Sequence, residues 1–214
     1  MDARKLIRAT LAAFLLAAML NAPTASAQVG KGLLDANTAT EAQLLAVPNM
    51  TPELVKGLIA KRPFASITEL NAYLLGIKLT QAQAMEAYGK TFVHVNLNTG
   101  TREEILLIPG AGNRMTREFP EYRPWKTFAQ FDKEISKYVG QEATDKLKQY
   151  VFIPVDLNTA TDADILSIPG AGNRMVREFK EYRPWKTKQQ FDKEISKYVG
   201  QKETDRLWRF VVIQ

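Results

Sequence analysis

The heptapeptide Pro-Gly-Ala-Gly-Asn-Arg-Met occurs twice, at residues 109–115 and 169–175. Its chemistry is that of the main chain. Glycine enters positive φ without steric cost, so two glycines flanking an alanine let the backbone reverse sharply. They also strip the turn of side chains and leave its amide N–H groups open to close approach. One apolar helical pattern leads into each copy (Ile105, Leu106 and Ile108; Ile165, Leu166 and Ile168). Another leads out (Met115, Phe119 and Tyr122; Met175, Phe179 and Tyr182). The turn therefore opens a helix, where unpaired donors and the positive end of the helix dipole favour an anion. A turn of this design could grip a nucleic-acid phosphate without reading any base. It could equally be a compact corner between two helices.

The side chains around the turn carry the same ambiguity. Arg114, Arg117, Arg174 and Arg177 fall in the first turn of the outgoing helix, where positive charge opposes the dipole and local stability gives no reason for it. They also stand four residues before Glu118, Glu121, Glu178 and Glu181, and such exposed pairs contribute about 0.2–0.5 kcal/mol each. Asn113 and Asn173 are of the type favoured at helix N-caps. Trp125 and Trp185, in Tyr-Arg-Pro-Trp, could stack on single-stranded bases, but rings after a proline corner more often pack over a small core. Lys126, Lys186 and Lys188 beside them read as solvated. Asp162 and Asp164 read as helix N-terminal charge. The single histidine, His94, lies between two valines in an extended junction and is not expected to be a ligand. The chain has no cysteine. No set of nucleophile, base and oxyanion donor is visible, and no metal-ligand set, so neither an enzyme nor a cofactor is expected.

The elements that position these groups come from repetition. Residues 96–153 and 156–213 align without gaps, with about 41 of 58 positions identical. A diverged copy precedes them, with Asn37-Thr38 matching Asn98-Thr99 and Asn158-Thr159, and Pro48 matching Pro109 and Pro169. Each copy opens on a capping box: Thr40 with Gln43, Thr101 with Glu104, Thr161 with Asp164. The first helix ends at the proline. The second stops before Arg62-Pro63, Arg123-Pro124 or Arg183-Pro184, because the residue before proline is pushed out of the α region. Ser66 with Glu69, Thr127 with Gln130 and Thr187 with Gln190 open a third helix. In the later copies it carries a stripe of Phe131, Ile135 and Tyr138, or Phe191, Ile195 and Tyr198, that should face a core. Gly140 or Gly200 precedes a fourth helix, and Tyr150–Ile153 or Phe210–Ile213 closes the copy as an extended run. The expected fold is all-α, in tandem modules of four short helices with short extended junctions. The modules span 28–92, 93–153 and 154–214, the first degenerate because Asn49-Met50-Thr51 replaces the glycine turn.

Residues 1–27 read as a secretory signal. Arg4, Lys5 and Arg8 precede an apolar run from Ala9 to Leu20, and Ala25-Ser26-Ala27 supplies a small-x-small cleavage site. The run is shorter than the ~20 residues of a bilayer span, so no stable membrane span is expected after cleavage. The mature protein is expected to be periplasmic or secreted. Cleavage after Ala27 leaves 26 positive and 22 negative groups, a net of +4. So mild a bias points to modest, salt-sensitive affinity for any polyanion.

Leu157–Met175, Glu181–Thr187 and Tyr198–Ile213, with the same pieces sixty residues earlier, resemble the paired helix-hairpin-helix domain of ComEA-like competence proteins. The resemblance implies non-sequence-specific binding of duplex DNA, outside the cytoplasm and in connection with DNA uptake. It assigns phosphate contact to the amides of Gly110, Ala111, Gly112, Asn113 and Arg114, and of Gly170, Ala171, Gly172, Asn173 and Arg174. The Arg114 and Arg174 side chains add charge, with Arg117 and Arg177 on the same helices. The sequence departs from the family where Tyr138 and Tyr198 stand in for the first glycine of the second hairpin. The other function the sequence allows is an assembly scaffold of helical repeats that binds another exported protein and no DNA.

Overall fold

The computed structural model describes residues 28–214, so the signal expected over residues 1–27 lies outside the described residues. The chain is mostly helical, and its strands are three parallel pairs of two residues each. Repeat 1 runs β1 (Leu34–Asp35), α1 (Glu41–Leu45), α2 (Pro52–Lys61), α3 (Ile67–Gly76), α4 (Gln81–Tyr88) and β2 (Thr91–Phe92). Repeat 2 runs β3 (Val95–Asn96), α5 (Arg102–Leu106), α6 (Gly112–Glu121), α7 (Phe128–Lys148) and β4 (Val151–Phe152). Repeat 3 runs β5 (Val155–Asp156), α8 (Asp162–Ser167), α9 (Asn173–Glu181), α10 (Lys188–Val199), α11 (Gln201–Trp208) and β6 (Val211–Val212). Within each repeat the first strand pairs in parallel with the last, Leu34 facing Thr91, Val95 facing Val151 and Val155 facing Val211. No helix among the described residues is long and apolar enough to cross a membrane.

Local sequence chemistry sets the helix limits. All three opening boxes form: the Thr40, Thr101 and Thr161 hydroxyls accept from the third helical amide, and Gln43, Glu104 and Asp164 accept from the threonine amide. In the second set the reply goes one residue further back. Glu69, Gln130 and Gln190 accept from Ala65, Lys126 and Lys186. Helices α2, α6 and α9 stop ahead of the three Arg-Pro bonds, which are cis. At Gly140, φ 76° and ψ 165° kink α7, and Gly200 divides α10 from α11 at φ 76° and ψ 163°.

An asparagine ties each repeat together. The Asn98 side chain accepts from the Trp125 amide at 2.6 Å and donates to the Trp125 carbonyl at 3.0 Å. Asn158 brackets Trp185 and Asn37 brackets Phe64 in the same way. Trp125 and Trp185 are each 1% exposed, and their indole N–H groups donate to the Phe119 and Phe179 carbonyls. Stacking on bases is closed to them.

Repeats join through aromatic residues at their exits. Phe92 meets Tyr150 with ring centres 5.0 Å apart, and Phe152 meets Phe210 at 4.6 Å. Repeat 3 also reaches the first junction, where Arg209 Nη2 donates to the His94 carbonyl at 3.2 Å. There His94 is 2% exposed, with Nδ1 3.4 Å from Asp35. Residues 28–30, which the sequence groups with repeat 1, run along β4 of repeat 2. Val29 bridges Phe152 on the outer edge of β4 and packs among the core residues of repeat 3.

Candidate functional site

The two glycine turns adopt related but unequal geometries. Gly110 has φ 85° and Gly112 φ 58°, and Gly112 is the first residue of α6. In repeat 3, Gly170 has φ 79° while Gly172 is extended, at φ −113° and ψ −173°, and precedes α9. The intervening alanine turns inward. Ala111 and Ala171 donate their amides to the Ile108 and Ile168 carbonyls, at 3.1 and 3.0 Å. The two alanine amides assigned to phosphate by the family resemblance are therefore already engaged.

Beyond the alanine the backbone is bare. Neither α6 nor α9 has a side-chain cap. Among the described residues, no acceptor meets the amides of Gly112, Asn113 and Arg114, or of Asn173, Arg174 and Met175. Gly110, Gly112, Asn113, Arg114, Gly170, Gly172, Asn173 and Arg174 are all exposed or partly so. The asparagines do not cap, contrary to the reading of residue type alone: each lies inside its helix, and Asn113 Oδ1 accepts from Arg102 Nη2 at 3.1 Å. Of the amides that the sequence assigns, those of Ala111 and Ala171 are engaged, and those of Gly110, Gly170 and Gly172 also meet no acceptor among the described residues.

Repeat 1 shows the same position closed. The Thr51 hydroxyl accepts from the Leu54 amide, Pro52 brings no N–H, and the Asn49 side chain donates to Glu86 at 2.9 Å. No row of free donors is left there for an anion.

Four arginines flank the bare helix starts. Arg114 is 3.8 Å from Glu118. The other expected pairs do not form: among the described residues Arg117, Arg174 and Arg177 have no carboxylate within 4.0 Å. Arg114 instead lies over the Tyr138 ring and Arg174 over the Tyr198 ring. Tyr138 and Tyr198 in turn share hydroxyl hydrogen bonds with Tyr122 and Tyr182, at 2.7 and 2.9 Å. Those bonds push both tyrosines above their ordinary pKa. Tyr138 and Tyr198 therefore each hold an arginine and bring the end of the third helix of their repeat beside its glycine turn.

Sequence reasoning missed Arg102. It donates to Thr116 at 3.0 Å as well as to Asn113, placing a guanidinium next to the open amides of α6. Its type against the helix dipole was the available signal, yet repeat 3 has Asp162 in its place, paired with Lys180 at 2.7 Å. The turn of repeat 3 is also the more crowded. A Cβ on Gly170 would lie 2.9 Å from Arg206 and 3.1 Å from Thr38 of repeat 1, whereas one on Gly110 would meet nothing within 4 Å. Compared with known protein families, with curated proteins and with solved structures, the chain has no match.

Proposed function

We propose that this chain is a helix-hairpin-helix DNA-binding protein, related in kind to the ComEA-like proteins it resembles and exported by the leader read over residues 1–27. It holds the phosphates of duplex DNA on the open amides at the starts of α6 and α9, with Arg102, Arg114, Arg117, Arg174 and Arg177 supplying charge, and it reads no base sequence. It is a binder, not an enzyme, and needs no cofactor.

One observation carries this reading: exposed donors without partners at two helix starts, each surrounded by cations that the helix dipole disfavours. Gly172 adds support. Its extended backbone suits any residue, and a Cβ there would touch nothing within 4 Å, so the chain's own packing does not require glycine. An incoming phosphate does. The scaffold reading is favoured by the contact of Gly170 with repeat 1, which puts one edge of the third turn to structural use.

The test is retention of random-sequence duplex DNA at low salt by the mature chain and by the Gly112→Glu, Gly172→Glu double variant. The parent should bind and the variant should lose at least tenfold in affinity. Equal binding by both, or binding by neither, would refute the assignment and leave the scaffold.

A further inference from the structure

The outer edge of β4 has a tenant whose geometry shows what such an edge accepts. Gly30 donates its amide to the Val151 carbonyl at 3.1 Å, and Ile153 donates to the Gln28 carbonyl at 2.9 Å. Val29, between them, is 3% exposed. Gly30 lies so tightly on the end of α7 that a Cβ would overlap the Lys148 carbonyl and come within 2.8 Å of the Gln149 backbone. The acceptor thus has two outward main-chain groups and a ledge that admits only glycine.

Repeat 3 carries the same parts with nothing on them. By the repeat alignment Val211 and Ile213 match Val151 and Ile153, and Trp208 and Arg209 match Lys148 and Gln149. The Val211 carbonyl and the Ile213 amide have no partner among the described residues. Trp208, Arg209 and Val211 line an open cleft of about 330 Å³, with Ala65, Asn96 and Glu104 on its other walls. The matching edge in repeat 1 is shut, because Thr91 and Val93 are completely buried. Val212, half-buried, stands where Phe152 meets Val29.

We propose that this cleft is a docking site for an extended strand of a partner protein. The strand pairs antiparallel with β6 through the Val211 carbonyl and the Ile213 amide, as an added strand on an open edge. It places a glycine on the Trp208–Arg209 ledge and an apolar residue before it beside Val212, as Val29-Gly30 does one repeat earlier. This assignment stands apart from DNA binding, since neither glycine turn takes part.

The probe is the blocked peptide Gln-Val-Gly-Lys-Gly, the sequence of residues 28–32, titrated to millimolar concentration into the mature protein while amide resonances are followed. Shifts are expected at Val211 and Ile213 and at the Trp208 indole. They should weaken at least tenfold for the peptide with valine in place of its first glycine. The Ile213→Pro variant, which lacks the outward amide, should lose them with the rest of its spectrum intact. Absence of shifts, equal binding of the valine peptide, or shifts confined to Val151 and Ile153 would overturn the proposal. Shifts that appear on concentrating the protein alone would overturn the partner assignment, because the occupant would then be residues 28–30 of a second copy.

Discussion

The Arg114 guanidinium stands 4.6 Å from the centre of the Tyr138 ring, and Arg174 stands 4.8 Å from Tyr198. A free arginine gives up about 2 kcal/mol of rotamer entropy when it is fixed. Here an aromatic face fixes it before any ligand arrives, at about 0.5–1 kcal/mol for an exposed stack. Replacing Tyr138 with leucine should therefore weaken DNA retention about two- to fivefold while the salt dependence stays the same, because no charge is removed. Arg114→Ala should instead flatten the plot of log affinity against log salt by about 0.9 per lost phosphate contact. Titrations at four salt concentrations separate the two.

Arg102 should matter for binding and hardly at all for folding. Its charge sits at the positive end of α6, and its hydrogen bond draws the Asn113 oxygen away from the helix start. Arg102→Ala frees that asparagine and removes an unfavourable charge, while it also gives up the bond to Thr116. Thermal unfolding should change by no more than about 0.5 kcal/mol. DNA retention should fall. A variant that binds as well as the parent would take Arg102 off the surface that meets phosphate.

Asn98→Ala should damage the fold without touching the open amides. It deprives the Trp125 amide and carbonyl of their partners at 2.6 and 3.0 Å. Leaving a buried polar group unsatisfied costs about 1–3 kcal/mol, so a loss of about 2–4 kcal/mol in denaturant unfolding is expected. Asn158→Ala should do the same to repeat 3.

Acid should loosen the contact among the three repeats through Asp35. Burial alone pushes its carboxyl up, but the His94 hydrogen bond, the His94 and Arg206 charges and the Asn37 amide together hold it below its ordinary value of 3.8. A folded pKa below the unfolded one means that Asp35 stabilises fully above the unfolded value and that this contribution fades as pH falls through the folded one. Asp35→Asn should thus cost about 1–3 kcal/mol near neutrality, because it disturbs the buried hydrogen bonds with the Asn37 amide and His94. The gap between variant and parent should begin to narrow below about pH 4 and keep narrowing as pH falls through the folded value, by no more than about 1.4 kcal/mol per pH unit. Urea unfolding at pH 7 and pH 3 measures both.

The features legible in the sequence were those settled within a few residues. Thr40, Thr101 and Thr161 cap because the partner three residues on is part of the same turn. Trp125 and Trp185 are buried because a proline corner turns them inward. Distance along the chain hid the rest. Arg102 meets Asn113 eleven residues on, and Asn98 meets Trp125 after twenty-seven. Arg209 meets His94 across 115 residues. Nothing in the periodicity of either segment marks such a meeting. Asn113 misled for a related reason: residue type favours the cap, but Arg102 from the preceding helix takes up the same oxygen. Residues 28–30 gave no signal, since three residues carry no period and their partner edge lies more than a hundred positions away.

The parallel pairing of first and last strands has a consequence for how this chain grew. Because entry and departure lie side by side, at Val95 and Val151 or at Val155 and Val211, a whole unit can be spliced in or cut out while its neighbours keep their places. Gene duplication meets little topological resistance in such a design. The 41 of 58 positions shared by the last two units are what a duplication later than the one that set off the first would leave behind.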